Sequence, residues 1–137
     1  GFGKYFDQLK NELPYENISF GPSLPEKEYK EYLESLDVVL LFQENNFQKV
    51  CLSCKFNTVI ELKKPIIYIG PECDISRYIN YLGIGLCITI DTSTEIIDSN
   101  LNNFFQNYKD LLSNSIKNNA YDLNKFFNEY YLSNQWC

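Results

Sequence analysis

Apolar positions along the chain change their period several times, and each change marks an element. Tyr5, Phe6, Leu9 and Leu13 share one helical face, and Pro14 ends it. Asn17-Ile-Ser-Phe20 reads as a short strand. It is followed by the turn Gly21-Pro-Ser-Leu-Pro25, where Ser23 and Glu26 have capping-box spacing. Tyr29, Tyr32, Leu33 and Leu36 then recur at the spacing of a second amphipathic helix.

Val38-Val-Leu-Leu-Phe42 is an unbroken apolar run, the pattern of a strand buried on both faces of a parallel sheet. After a polar loop, residues from about 53 to 63 form a helix pattern with Phe56, Val59 and Ile60 inward, and Pro65-Ile-Ile-Tyr-Ile69 is the next strand, closed by Gly70-Pro71. Ile75, Tyr78, Ile79 and Leu82 predict a further helix, Gly83 and Gly85 a turn, and residues 86–90 a last strand. Thr92 and Glu95 have the spacing to box the start of a long helix over about 95–112, with another over about 117–132. No repeat, low-complexity tract or linker interrupts this rhythm. It predicts an α/β chain, a single domain over residues 1–137, with a parallel sheet covered by helices on both faces. In such sheets ligands sit at the carboxyl ends of the strands.

Composition sharpens the picture. A length of 137 residues suits one domain with a real core, and 45% hydrophobic, 22% charged and 16% aromatic residues describe an ordered globular chain. The net charge of −6 argues against a nucleic-acid surface, so an anionic ligand would need a local cationic pocket. Histidine is absent, which removes the commonest general base near neutral pH and the commonest zinc ligand. The longest apolar run, residues 38–42, is far short of the roughly 20 residues of a membrane span, and the chain opens without a signal-like pattern, so no transmembrane segment is expected.

The cysteines, at positions 51, 54, 73, 87 and 137, are an odd and scattered set, which favours reduced thiols in a cytoplasmic protein. Cys51-x-x-Cys54 has the spacing of a metal knuckle or redox pair, but neither a second pair nor a thioredoxin-like context accompanies it. No metal site is expected.

The predicted strand ends open onto the loops 21–25, 43–53 and 70–74, with Gly1-Phe-Gly3 as a fourth if a strand precedes it. The helix beginning near Ser53 is the best anion site among them, because its first turn leaves N–H groups unpaired and its dipole favours negative charge. Ser53 adds a hydroxyl there, and Lys49 and Lys55 add charge. The plainer reading makes Ser53 an ordinary N-cap and Lys55 a solvated helix lysine.

Several segments, in order, carry a family resemblance. Gly1-Phe-Gly3, Asn17-Ile-Ser-Phe-Gly21, Leu36-Asp-Val-Val39, Leu52-Ser-Cys-Lys55 with Lys64-Pro-Ile-Ile67, Gly70-Pro-Glu-Cys-Asp-Ile-Ser-Arg77 and Leu82-Gly-Ile-Gly85 follow one another along nearly the whole chain. Together they resemble the carboxy-terminal, nucleotide-sugar-binding domain of retaining glycosyltransferases of the GT-B fold, the group that includes polysaccharide, lipid-sugar and sucrose-type enzymes. The resemblance implies a Rossmann-like sheet, one half of a GT-B fold. It also implies a hexosyltransferase that moves a sugar from a nucleoside-diphosphate donor, its substrate, to a glycan or lipid-linked acceptor. No separate cofactor is implied.

By that resemblance Gly3, Ser53 and Lys55 would hold the donor diphosphate, while Gly21, Pro22 and Leu24 would hold the base through backbone groups. Thr58 stands where the family usually has a glutamate that binds the ribose hydroxyls, and Val50 where many members have a second, sugar-contacting glutamate. Thr58 still offers one hydrogen bond, and Glu44 or Glu61 are candidate substitute carboxylates. The resemblance assigns no catalytic residue in this chain.

The family's domain begins with a strand ahead of G-x-G and works in a cleft against an amino-terminal acceptor domain. The expectation is therefore a chain that lacks both and meets its acceptor through another domain or subunit, in the cytoplasm or at the inner face of the membrane. Two other readings share the strand–helix rhythm: a receiver-like signalling module, and a degenerate Rossmann-like binding or interaction domain that has lost the donor carboxylates. Phe104-Phe105, Phe126-Phe127 and Tyr130-Tyr131 have two readings, an exposed partner surface or core packing, and their helical spacing favours the core.

Overall fold

The computed structural model describes residues 5–43, 54–117, 122 and 124. The expected helix over about 117–132, with its two aromatic pairs, lies largely outside them. The elements run α1 (Phe6–Glu12), α2 (Glu26–Ser35), β1 (Val39–Phe42), α3 (Cys54–Glu61), β2 (Ile66–Ile69), α4 (Asp74–Leu82), β3 (Gly85–Ile88) and α5 (Thr94–Lys117). The chain forms two compact units, Gly1–Ser35 and Leu36–Cys137. No helix among the described residues is long and apolar enough to cross a membrane.

In the first unit, Phe6 of α1 meets Phe20 edge to face with ring centroids 5.9 Å apart. Residues 17–20 do not form the expected strand. A turn bonds Ile18 N–H to the Tyr15 carbonyl at 3.0 Å, and the chain then runs without regular structure to α2. Four residues with two apolar side chains are a weak strand signal, since a strand also needs a neighbour to pair with. The Ser23–Glu26 box does not arise either: α2 begins at Glu26 itself, so the cap position falls on Pro25.

Among the described residues, the second unit holds a parallel sheet of three strands in the order β1-β2-β3. Val39 pairs with Ile66 and Ile66 with Gly85, and the register runs on to Phe42, Ile69 and Ile88. Alternation places Val39, Leu41, Ile66, Tyr68 and Cys87 on one face and Leu40, Phe42, Ile67, Ile69, Leu86 and Ile88 on the other. Helix α4 serves the first face, where the Cys87 thiol donates to the Ser76 carbonyl at 3.5 Å. Phe56 of α3 meets Tyr78 of α4 edge to face at 5.4 Å, and both rings are fully buried. Helix α5 covers the second face, packing Phe104, Ile97, Leu101 and Tyr108 against Ile67, Ile88 and their neighbours.

That second layer stops short of β1. Leu40 is 61% exposed and Phe42 65% exposed, whereas Val39 on the opposite face is buried. Among the described residues, the run Val38–Phe42 lies at the edge of the sheet with Leu40 and Phe42 exposed, rather than covered on both sides. Hydrophobicity records what a strand can bury; the reach of α5 decides what it does bury.

Helices α3 and α4 end in the same way, each with a left-handed residue just before a strand. Lys63, at φ 53°, closes α3 with its N–H on the Ile60 carbonyl at 3.0 Å, while Lys64 N–H reaches the Val59 carbonyl at 3.2 Å. This is a Schellman arrangement with lysine in the position glycine usually takes. Gly83, at φ 63°, does the same for α4, with Ile84 N–H on the Ile79 carbonyl at 3.2 Å. Gly85 has a different constraint, because a Cβ there would run into the Ile66 backbone carbonyl of β2. Both glycines of Leu82-Gly-Ile-Gly85 thus have backbone reasons. Near the start of α5, Thr92 does not join a capping box with Glu95; its hydroxyl pairs with that of Thr89 at 2.9 Å.

Candidate functional site

The carboxyl edge of the sheet is built by continuing the ladder one residue past the strands. Gln43 N–H donates to the Ile69 carbonyl at 2.9 Å and Gly70 N–H to the Ile88 carbonyl at 3.1 Å. This fixes where the loops after β1 and β2 leave the sheet.

Below that edge lies a polar cluster. The Tyr68 hydroxyl is 2.9 Å from the Pro71 carbonyl, 3.1 Å from the Cys73 thiol and 3.2 Å from Gln43 Oε1. One hydroxyl has one proton to give. Donating it to Pro71 leaves the Tyr68 oxygen to accept from the Cys73 S–H. Burial, with the Cys73 contact second, raises the phenol pKa above its ordinary value. A Cβ on Gly70 would stand 2.6 Å from that hydroxyl, so the loop passes directly over it. The two protons of Tyr68 and Cys73 are used within the cluster, which forms the floor of the edge, while Gln43 Oε1, on a half-buried side chain, takes no proton from either in this arrangement. Cys73 is buried and carries a free thiol, so solvent does not reach it as a nucleophile.

Helix α4 starts from this floor. Ser76 Oγ accepts from Cys73 N–H at 2.9 Å and donates to the Cys73 carbonyl at 2.8 Å, which ties the first turn together. Arg77, the cation of the Gly70–Arg77 segment, is engaged by its own neighbours: Glu72 at 3.2 Å and Asp74 at 3.3 Å. The free thiol of Cys87, on the α4 face of β3, is pushed up to about 12 by burial and by the nearby Cys73. Among the described residues, no group of three Cys, Asp or Glu is placed to hold a metal ion.

The residues singled out from sequence fall in three places. Lys55 is exposed in the first turn of α3, the helix entered from the carboxyl end of β1, and Thr58 follows it, half-buried and with interactions of its own. Glu61 is the last residue of α3, about 9 Å along the axis from Lys55 at 1.5 Å per residue. Gly21 and Pro22 are exposed and Leu24 half-buried in the irregular segment before α2. That segment belongs to the first unit, whereas Lys55 and Thr58 belong to the second. A Cβ on Gly21 would meet nothing within 4 Å, so packing does not demand glycine there. Gly3, Glu44, Val50 and Ser53, with Lys49 and Cys51, lie outside the described residues.

Sequence reading missed the Gln43–Tyr68–Cys73 cluster. The available signal was Tyr68 itself, a hydroxyl inside the otherwise aliphatic strand Ile66-Ile-Tyr-Ile69, which requires a buried partner. Nothing in the sequence pointed to Cys73 as that partner.

None of the protein-family models, curated proteins or solved structures compared with the chain matches it.

Proposed function

We propose that this chain binds the nucleotide of a nucleoside-diphosphate sugar and serves as the donor half of a GT-B-type hexosyltransferase acting on a glycan or lipid-linked acceptor. The observation that carries the reading is Lys55 in the first turn of α3, the helix that follows the carboxyl end of β1 in a parallel sheet. Unpaired N–H groups and the helix dipole at such a start favour a diphosphate, and Lys55 adds a full positive charge. Sugar transfer expels a nucleoside diphosphate, so donors held in place for that growing charge lower the barrier. Thr58, one turn further on, supplies the hydroxyl that meets the ribose in this reading. The full enzyme works in the cytoplasm or at the inner face of the membrane, and no metal takes part at this site.

Titration with UDP, GDP and ADP, followed by backbone amide NMR, tests the reading. The expected result is saturable shifts at residues 51–58 for at least one nucleotide, weakened several-fold by Lys55→Ala. Shifts absent from residues 51–58 would overturn it.

A second reading rests on Thr58 and Val50 standing where the resembled family has glutamates: the fold is kept as a non-catalytic binding or interaction domain. Thr58→Glu separates the two. Tighter nucleotide binding supports a working donor site, and unchanged binding supports the degenerate one.

A further inference from the structure

At the opposite, amino edge of the sheet lies a groove of about 460 Å³ between the α3–β2 turn and the second half of α5. Its basic side is made by Lys63, Lys64 and Lys109, against the single carboxylate of Asp37. This is a local reversal of sign in a chain of net charge −6. Its apolar side is supplied by Leu62, Tyr108, Leu112 and Ile116.

The three ammonium groups are not equivalent. Lys64 Nζ is pinned to the Leu36 carbonyl at 2.8 Å and belongs to the frame of the groove. The side chains of Lys63 and Lys109 make no hydrogen bond or ion pair among the described residues. The Schellman close of α3 fixes the backbone from which Lys63 projects, and α5 fixes that of Lys109. Rigid elements therefore hold two cations, without partners among the described residues, on the rim of one concave surface beside exposed aliphatic carbon.

We infer that this groove binds an amphiphilic organic anion, a phosphate or carboxylate head on a short apolar chain. Lys63 and Lys109 meet the head, and Leu62, Leu112 and Ile116 meet the chain. Size supports a small molecule over a macromolecular surface, since ligand pockets run to about 300–1,000 Å³. Charge complementarity supplies the sign, and the aliphatic wall separates such a ligand from inorganic phosphate. The groove shares no residue with the nucleotide site proposed at α3, so the two stand or fall separately.

The test uses decyl phosphate, kept below its micelle-forming concentration, with decanol and inorganic phosphate as controls. Backbone amide NMR of the whole chain is the readout. The expected result is saturable shifts at residues 62–64 and 108–116 with decyl phosphate, at least tenfold tighter than either control. The double variant Lys63→Gly with Lys109→Gln should weaken binding at least fivefold, with the thermal midpoint not lowered because glycine adopts the left-handed backbone at position 63 without strain. Lys55→Ala should leave these shifts unchanged, which keeps this site distinct from the nucleotide site. Equal binding of decanol, an unaffected double variant, or no saturable shifts at these residues would each overturn the inference. So would binding seen only with phosphatidic acid presented in phosphatidylcholine vesicles, which would mark association with a lipid surface instead of a ligand groove.

Discussion

The Tyr68 hydroxyl and the Cys73 thiol lie 3.1 Å apart below the carboxyl edge of the sheet, and each completes the hydrogen bonding of the other. The pair joins β2 to the residue that caps α4, so the loop between them is held from underneath. Tyr68→Phe keeps the ring and removes the hydroxyl, leaving the Pro71 carbonyl and the Cys73 S–H without that partner. Urea denaturation should show a loss of about 1–3 kcal/mol, the cost of unpaired buried polar groups. A loss under about 0.5 kcal/mol would mean that water replaces the hydroxyl.

The same neighbourhood predicts an alkaline limit. Cys87 is raised from 9.0 to about 12 in the folded chain, and Tyr68 is raised above its ordinary 10.0, both chiefly by burial. Below about pH 8 these groups hold their protons in the folded and the unfolded state alike, so they add no pH dependence there. As pH rises from about 8 toward 12, the unfolded chain ionises first and holds fewer protons, and stability falls. Cys87→Ala should flatten the first part of that fall, as measured by thermal midpoints between pH 8 and 11. Identical slopes for the two proteins would refute the assignment.

Lys63 and Gly83 occupy equivalent left-handed positions at the ends of α3 and α4. Lys63→Gly relieves backbone strain and should stabilise the fold by about 0.5–1 kcal/mol. Gly83→Ala imposes that strain and should cost about 1–2 kcal/mol. Opposite signs in chemical denaturation are the expected outcome, and equal signs would contradict the shared cap geometry.

Leu40 and Ile67 are register partners on the same face of adjacent strands, yet Leu40 is 61% exposed and Ile67 is buried under α5. Ile67→Ala should cost about 2–4 kcal/mol through lost burial and a residual cavity. Leu40→Ala should cost less than about 1 kcal/mol. Comparable losses would show that Leu40 is covered in solution.

Much of the second unit was legible from residues alone. Period and run length identified α3, β2, α4 and β3 to within two or three residues, because Phe56, Val59, Tyr78 and Ile79 are spaced to bury one helical face and Ile66 to Ile69 are bulky enough to fill a strand. Phe104 was expected in the core and is there, while Phe105 beside it is 52% exposed, since one helical face cannot bury both. Lys55 was placed in advance at the start of α3, because the apolar period of Phe56, Val59 and Ile60 locates that helix.

What tertiary structure alone decided concerns neighbours far apart in the chain. Residues 17–20 look like a strand and lack one, since pairing is not a local property. The run at 38–42 looks doubly buried, yet Leu40 and Phe42 are exposed and lie outside the cluster that α5 covers. Gln43, Tyr68 and Cys73 lie up to 30 positions apart, and the basic groove joins residues near 37, 63 and 109. Local patterning determines which elements form, because it acts within a turn or two of the chain. Which side chains meet at an edge or a groove depends on strand order and helix coverage, and no window of sequence contains those.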